Sequence, residues 1–137
     1  MNQYIELVKS AVTFTSHNHK SESQNTLSEV SQDDLMDVLS SDRRRWILEI
    51  LASKDPDATV HLSDLAESVA AREYGCDPDE LSSDQRKRVY ISLSQQHLDF
   101  MSPAVLEYDR DRKIITPTDK PAVIWHAYST FREELDH

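Results

Sequence analysis

Apolar residues return at helical spacing in six stretches of the chain and form short extended runs in three others. Tyr4, Ile5, Val8, Ala11 and Val12 mark one face of a short amphipathic helix within residues 1–14. The stretch "TSHNHKSESQNTLSEVS", Thr15 to Ser31, has no such period and reads as a polar linker. The compact part begins near Gln32, where Leu35, Val38 and Leu39 make one apolar turn. In "DRRRWILEILA", Asp42 to Ala52, the stripe is Trp46, Ile47, Ile50 and Leu51, with Ser41 as N-cap. "KDPDA" breaks this helix and "TVHL" is a short extended piece. Ser63 is placed to cap the next helix, "DLAESVAAREYG", which turns Leu65, Ala66, Val69 and Ala70 inward and stops at Gly75.

A further helix starts at Ser83, since Ser82 and Gln85 have capping-box spacing. Val89 and Leu93 face the core, and Lys87, Ile91, Ser94 and Gln95 project away from it. Leu98 and Met101 fall off the Val89–Leu93 stripe, so a kink is expected near His97. "VLEYDRDRKIITPT" gives two apolar-rich runs, Val105–Tyr108 and Ile114–Thr116, around a charged tip: a hairpin without an Asn-Gly or Asp-Gly turn. The last helix, Ala122 to Leu135, carries Ile124, Tyr128, Phe131 and Leu135 on one face. Helix, short strand, helix, helix, hairpin, helix is the order of a mainly α fold with a small antiparallel β wing, a winged helix-turn-helix. The expected division is 1–31, amphipathic segment and linker, and 32–137, winged helix-turn-helix domain with a C-terminal helix.

Composition narrows the class. The 137 residues suffice for one domain, and 38% hydrophobic with 29% charged residues is globular and polar. One cysteine, Cys76, excludes an internal disulfide framework and fits a reducing compartment. No apolar run approaches the roughly 20 residues that span a bilayer. "MNQYIELVKSAVTF" has no basic lead, and Glu6 and Lys9 interrupt its apolar part, so it does not read as a signal peptide. A cytoplasmic protein without a membrane partner is expected. The net charge of -10 argues against indiscriminate nucleic-acid binding and suits a protein hydrated in concentrated salt.

The distribution of charge changes this picture. Arg43-Arg44-Arg45, Arg86-Lys87-Arg88 and Arg110/Arg112/Lys113 hold nine of the fifteen basic residues. Cations at a helix start oppose the macrodipole, at a cost of a few tenths to about 1 kcal/mol. The plain reading of Arg86-Lys87-Arg88 is a solvated face with an Asp84–Arg88 pair worth about 0.3 kcal/mol. In the second helix of a helix-turn-helix the same residues suit phosphate contact, with Ile91, Ser94 and Gln95 as base readers. Arg110, Arg112 and Lys113 at the wing tip either neutralise Asp109 and Asp111 or reach a flanking groove. For "DRRR", stems packed on the core with heads bonded to acidic loops are favoured over a DNA-backbone role.

"LSSDRRRWILEILA", "LSDLAESVAAREYG", "LSSDQRKRVYISLSQQHL" and "VLEYDRDRKIITPT" together resemble an uncharacterised haloarchaeal winged helix-turn-helix domain family. The resemblance covers roughly Asp34 to Thr118 and is most specific in "SSDQRKRVYISLSQQHL" followed by "EYDRDR". It implies a transcription-regulator-like domain of a salt-rich cytoplasm and supplies no target. Phe100-Met101-Ser102-Pro103-Ala104 departs from the family's proline- and glycine-containing link into the wing, and the first thirty residues lie outside the match.

Other chemistry is thin. His17 and His19 have no Cys or carboxylate at ligand spacing, His97 reads as a core-edge histidine, and Cys76 sits in no nucleophile motif. With one glycine there is no phosphate loop. No enzyme, metal or cofactor is expected. Trp125, Tyr128, Phe131 and Leu135 either pack on the domain's own first helix or form a homodimer seam. The expected function is a dimeric regulator that binds double-stranded DNA through helix Ser83–His97 and wing Val105–Thr116. The alternative is a winged-helix protein–protein interaction or dimerisation module without direct DNA binding.

Overall fold

A computed structural model of the chain describes residues 30–136. The segment 1–14 and the pair His17/His19, with most of the expected linker, lie outside the described residues. Helix α1 (Gln32–Leu39) is capped by Ser31, and Val30 before it is already buried, so the core reaches into the end of the expected linker. Helix α2 (Asp42–Ala52) starts at Ser41, whose Oγ accepts the Arg44 N–H. Strand β1 (Val60–His61) leads directly into α3 (Leu62–Tyr74). The cap of α3 is His61, whose Nδ1 accepts the Ser63 N–H at 3.3 Å, and not Ser63 as its composition suggested. Gly75 ends α3 in the left-handed conformation, φ 63°.

A single 3₁₀ turn (Pro78–Glu80) precedes α4 (Ser83–Ser92). The capping box forms as expected: Gln85 N–H donates to Ser82 Oγ at 3.1 Å and Ser82 N–H to Gln85 Oε1 at 2.9 Å. The expected kink is a π turn (Leu93–His97), after which one further helical turn, α5 (Leu98–Met101), completes the rod. The extra residue of the π turn cures the register fault. Val89, Leu93, Leu98 and Met101 are all fully buried, where an unbroken α-helix would turn Leu98 away from Leu93.

The Ser102–Pro103 peptide is cis, and the link closes with Val105 and Leu106 N–H groups on the Met101 carbonyl. This turns Val105 and Leu106 into the core, so β2 (Glu107–Asp109) starts two residues later than the apolar run. Strand β3 (Ile114–Thr116) pairs antiparallel with β2, Tyr108 opposite Ile115, and with β1, Val60 opposite Ile115. The three-stranded order is β1-β3-β2. The Asp109 carboxylate replaces the missing Asn-Gly turn by accepting the N–H groups of Asp111 and Arg112 at 3.1 Å each, and Lys113 takes the left-handed position, φ 60°.

Helix α6 (Lys120–Leu135) packs along α2 and buries Ile124, Ala127 and Phe131. Covered by α3 on one side and α6 on another, α2 buries Leu48 as well as Ile47, Ile50 and Leu51. Trp46, expected in that stripe, is half-buried at the α2–α6 surface. The fold is mainly α with a small three-stranded antiparallel sheet, a winged helix-turn-helix. No helix among the described residues is long and apolar enough to cross a membrane.

Candidate functional site

The capping box fixes where α4 starts, and hence which side chains leave it on the outward side. Lys87 and Arg88 are exposed, and neither makes an ion pair within 4 Å among the described residues. Ile91, 40% exposed, and Gln95 follow them along the rod. Ser94 is half-buried and its hydroxyl donates to the Ile91 carbonyl at 3.1 Å. Lys87, Arg88, Ile91 and Gln95 are exposed, and Ser94 is partly covered.

Arg86 behaves differently from its two neighbours. Its guanidinium binds the Glu67 carboxylate of α3 and the Pro78 carbonyl, and so ties α3, the 3₁₀ turn and α4 together. Expected at the phosphate lip, it serves the packing of the two helices. Between them lies a groove of about 380 Å³, lined by Ser63, Asp64, Glu67, Ser83, Lys87 and Tyr90 among others.

The wing stands beside the rod. Arg110 at its tip binds Asp99 of α5, which holds the guanidinium above its ordinary pKa. Tyr108 of β2 is half-buried near Tyr90 of α4; burial, reinforced by the fields of Tyr90 and Asp99, pushes its hydroxyl pKa up. Arg112 lies 3.8 Å from Asp109, an open pair on an exposed loop. Lys113 is half-buried and its carbonyl accepts the Leu62 N–H at 2.9 Å. Arg110 therefore ties the wing tip to the C-terminal end of the rod.

The third basic cluster is spent inside the molecule. Arg45 binds the Leu39 carbonyl and Asp42. Arg44 reaches the Asp37 carbonyl and His97, and Arg43 reaches Glu73 and Ser92. The acceptors are mostly helix ends and side chains of packed helices, not the acidic loops expected. No sequence signal named these partners, although the density of arginine at one helix start marked the place.

The terminal aromatic set divides. Phe131 is buried in the core of its own chain, so it is not available to a seam. Trp125 and Tyr128 pack against each other with ring centroids 5.6 Å apart, and Arg45 and Arg132 lie about 6 Å from the Tyr128 ring centroid. Leu135 is 67% exposed. Among the described residues no cluster of three or more His, Cys, Asp or Glu side chains is arranged for a metal ion.

No curated protein and no solved structure gives a significant match to the chain. A family model described as a domain of unknown function, DUF7344, matches residues 36–116, which run from α1 through the whole wing. The match covers more than half of the sequence, and the chain belongs to this family.

Proposed function

We propose that the protein is a winged-helix transcriptional regulator that binds double-stranded DNA with α4 as its reading helix. The observation that carries the reading is the exposed line of Lys87, Arg88 and Ile91 on that helix and Gln95 in the π turn that continues it, with the wing tip bound to the end of the same rod at Asp99. Lys87 and Arg88 contact phosphates; Gln95, Ser94 and Ile91 face base edges, since an amide can bond adenine and an apolar group can meet a thymine methyl. Arg112, on the exposed tip, reaches the flanking groove. Arg86 supports the reading helix from behind.

Acidity shapes this mechanism. At 1 M salt the screening length is about 3 Å, so long-range steering is lost and close contacts must carry recognition. The excess of acidic over basic residues, a net charge of -10, fits a salt-rich cytoplasm of the haloarchaeal kind. Two half-sites would add what single contacts lose in salt. The Trp125–Tyr128 pair with Leu135, flanked by Arg45, Arg132, Asp42 and Glu49, offers both charge signs for a twofold homodimer.

A second reading, a protein–protein module, is favoured by one observation: Arg86, Arg110 and Arg112 each face a carboxylate of the same chain. Selection of bound duplexes from a random pool separates the two. The DNA reading expects a defined sequence to emerge, and Gln95→Ala and Ile91→Ala to relax it at particular positions. A pool that stays undifferentiated through repeated rounds contradicts it.

A further inference from the structure

Two arginines from the start of α2 grip the reading rod at either end of its π turn. Arg43 donates through Nε and Nη2 to the two carboxylate oxygens of Glu73 at 2.6 and 2.8 Å, and through Nη1 to Ser92 Oγ at 2.8 Å. Arg44 donates through Nε to His97 Nδ1 at 3.1 Å and through Nη1 to the Asp37 carbonyl at 2.6 Å, with its guanidinium 4.3 Å from the Phe100 ring centroid. Ser92 is the residue before the π turn and His97 is its last. The turn has no side-chain cap of its own.

Apolar burial explains why the rod must change register here, since Leu98 and Met101 have to enter the core. It does not explain the arginines. A partly buried, hydrogen-bonded cation is a poor net source of stability, because desolvation offsets most of the attraction; an apolar side chain of similar size would hold the helices as well. What a planar guanidinium adds is direction, because its fork accepts one arrangement of acceptors. Arg43 and Arg44 are adjacent, so the two acceptors they take on the rod are held at one fixed spacing along it. Between those acceptors lie Ser94 and Gln95, and Ile91 stands one residue before the first.

We infer that Arg43 and Arg44 are positioning residues that set the angle at which Ile91, Ser94 and Gln95 meet base edges in DNA. The inference rests on the DNA-binding reading of α4 and assigns the specificity of that site to contacts made behind it. Phosphate binding by Lys87 and Arg88 does not depend on the clamp, because both lie before the gripped segment.

The test compares affinity for the duplex selected by the wild type with affinity for random duplex. Arg44→Met keeps the stem against Phe100 and removes the fork. The ratio of the two affinities should fall roughly tenfold, the size of one misplaced bidentate base contact, while affinity for random duplex and its salt dependence stay the same. Should Arg44→Met fold poorly, Arg44→Lys retains the charge without the fork and should show the same fall. A wild type that selects DNA and variants that keep its ratio, or lose both affinities in parallel, overturn the inference and leave the DNA reading standing. A wild type that selects no duplex overturns both.

Discussion

His97 occupies its place as a neutral ring, because its Nδ1 must accept the Arg44 N–H. Burial first, then the fields of Arg44 and Arg43, hold its pKa down to about 4 from 6.5. The unfolded chain therefore binds the extra proton between these values, and stability falls as pH drops from 6.5 to 4, by at most about 1.4 kcal/mol per pH unit. Glu73, whose carboxyl is held below its usual 4.5 by the Arg43 hydrogen bond, adds a loss with the same sign at lower pH. Denaturant titrations at a series of pH values should show the upper loss in the wild type and a flatter profile in His97→Asn, whose amide oxygen can still accept from Arg44. A profile unchanged by the substitution would exclude His97 as its source. The chain's single glycine is the second residue with a defined cost. Gly75 takes φ 63° with no heavy atom within 4 Å of an added Cβ, so Gly75→Ala should lose about 1 kcal/mol from backbone conformation alone, read in the same titrations.

The π turn is the element that decides which side chains the rod from α4 to α5 presents. Leu98 is fully buried beyond it, whereas Phe100 is 41% exposed beneath Arg44. Leu98→Ala should destabilise by about 2–5 kcal/mol and Phe100→Ala by about 1 kcal/mol or less. The opposite order in unfolding experiments would mean that the helix continues without the inserted residue. Much of this was legible in the chain. The Val89–Leu93 stripe and the misfit of Leu98 and Met101 announced a break, and Ser82 with Gln85 placed the start of α4. Other features were not local. Arg43 and Glu73 are 30 residues apart and Arg44 and His97 are 53 apart, so periodicity along one helix carries no trace of their pairing. Trp46 was read as core from its own helix, yet the position of α6 decides how far it is covered. His61 displaced Ser63 as the cap because β1 runs into α3 without a loop, which the pairing of β1 with β3 imposes.

At the scale of the whole molecule, an acidic chain exposes Lys87 and Arg88 on α4 with no ion pair within 4 Å among the described residues, while Arg86, Arg110 and Arg112 face carboxylates of the same chain. The fold class could be read from the order of elements, and the three strands from three short extended runs. The division of labour within each basic cluster could not, since neighbours in sequence such as Arg86 and Lys87 meet different elements in space. If Lys87 and Arg88 contact phosphates, each releases about one counterion on binding. The most direct measurement is the dependence of DNA affinity on salt, for the wild type and for the Lys87→Ala/Arg88→Ala variant, with thermal unfolding as a check on fold. Plotted as log affinity against log salt, the wild type should be steeper than the variant by about two units, at nearly equal melting temperatures. Equal slopes from two well-folded proteins, or no DNA affinity in the wild type at any salt, would contradict a DNA-reading role for this helix.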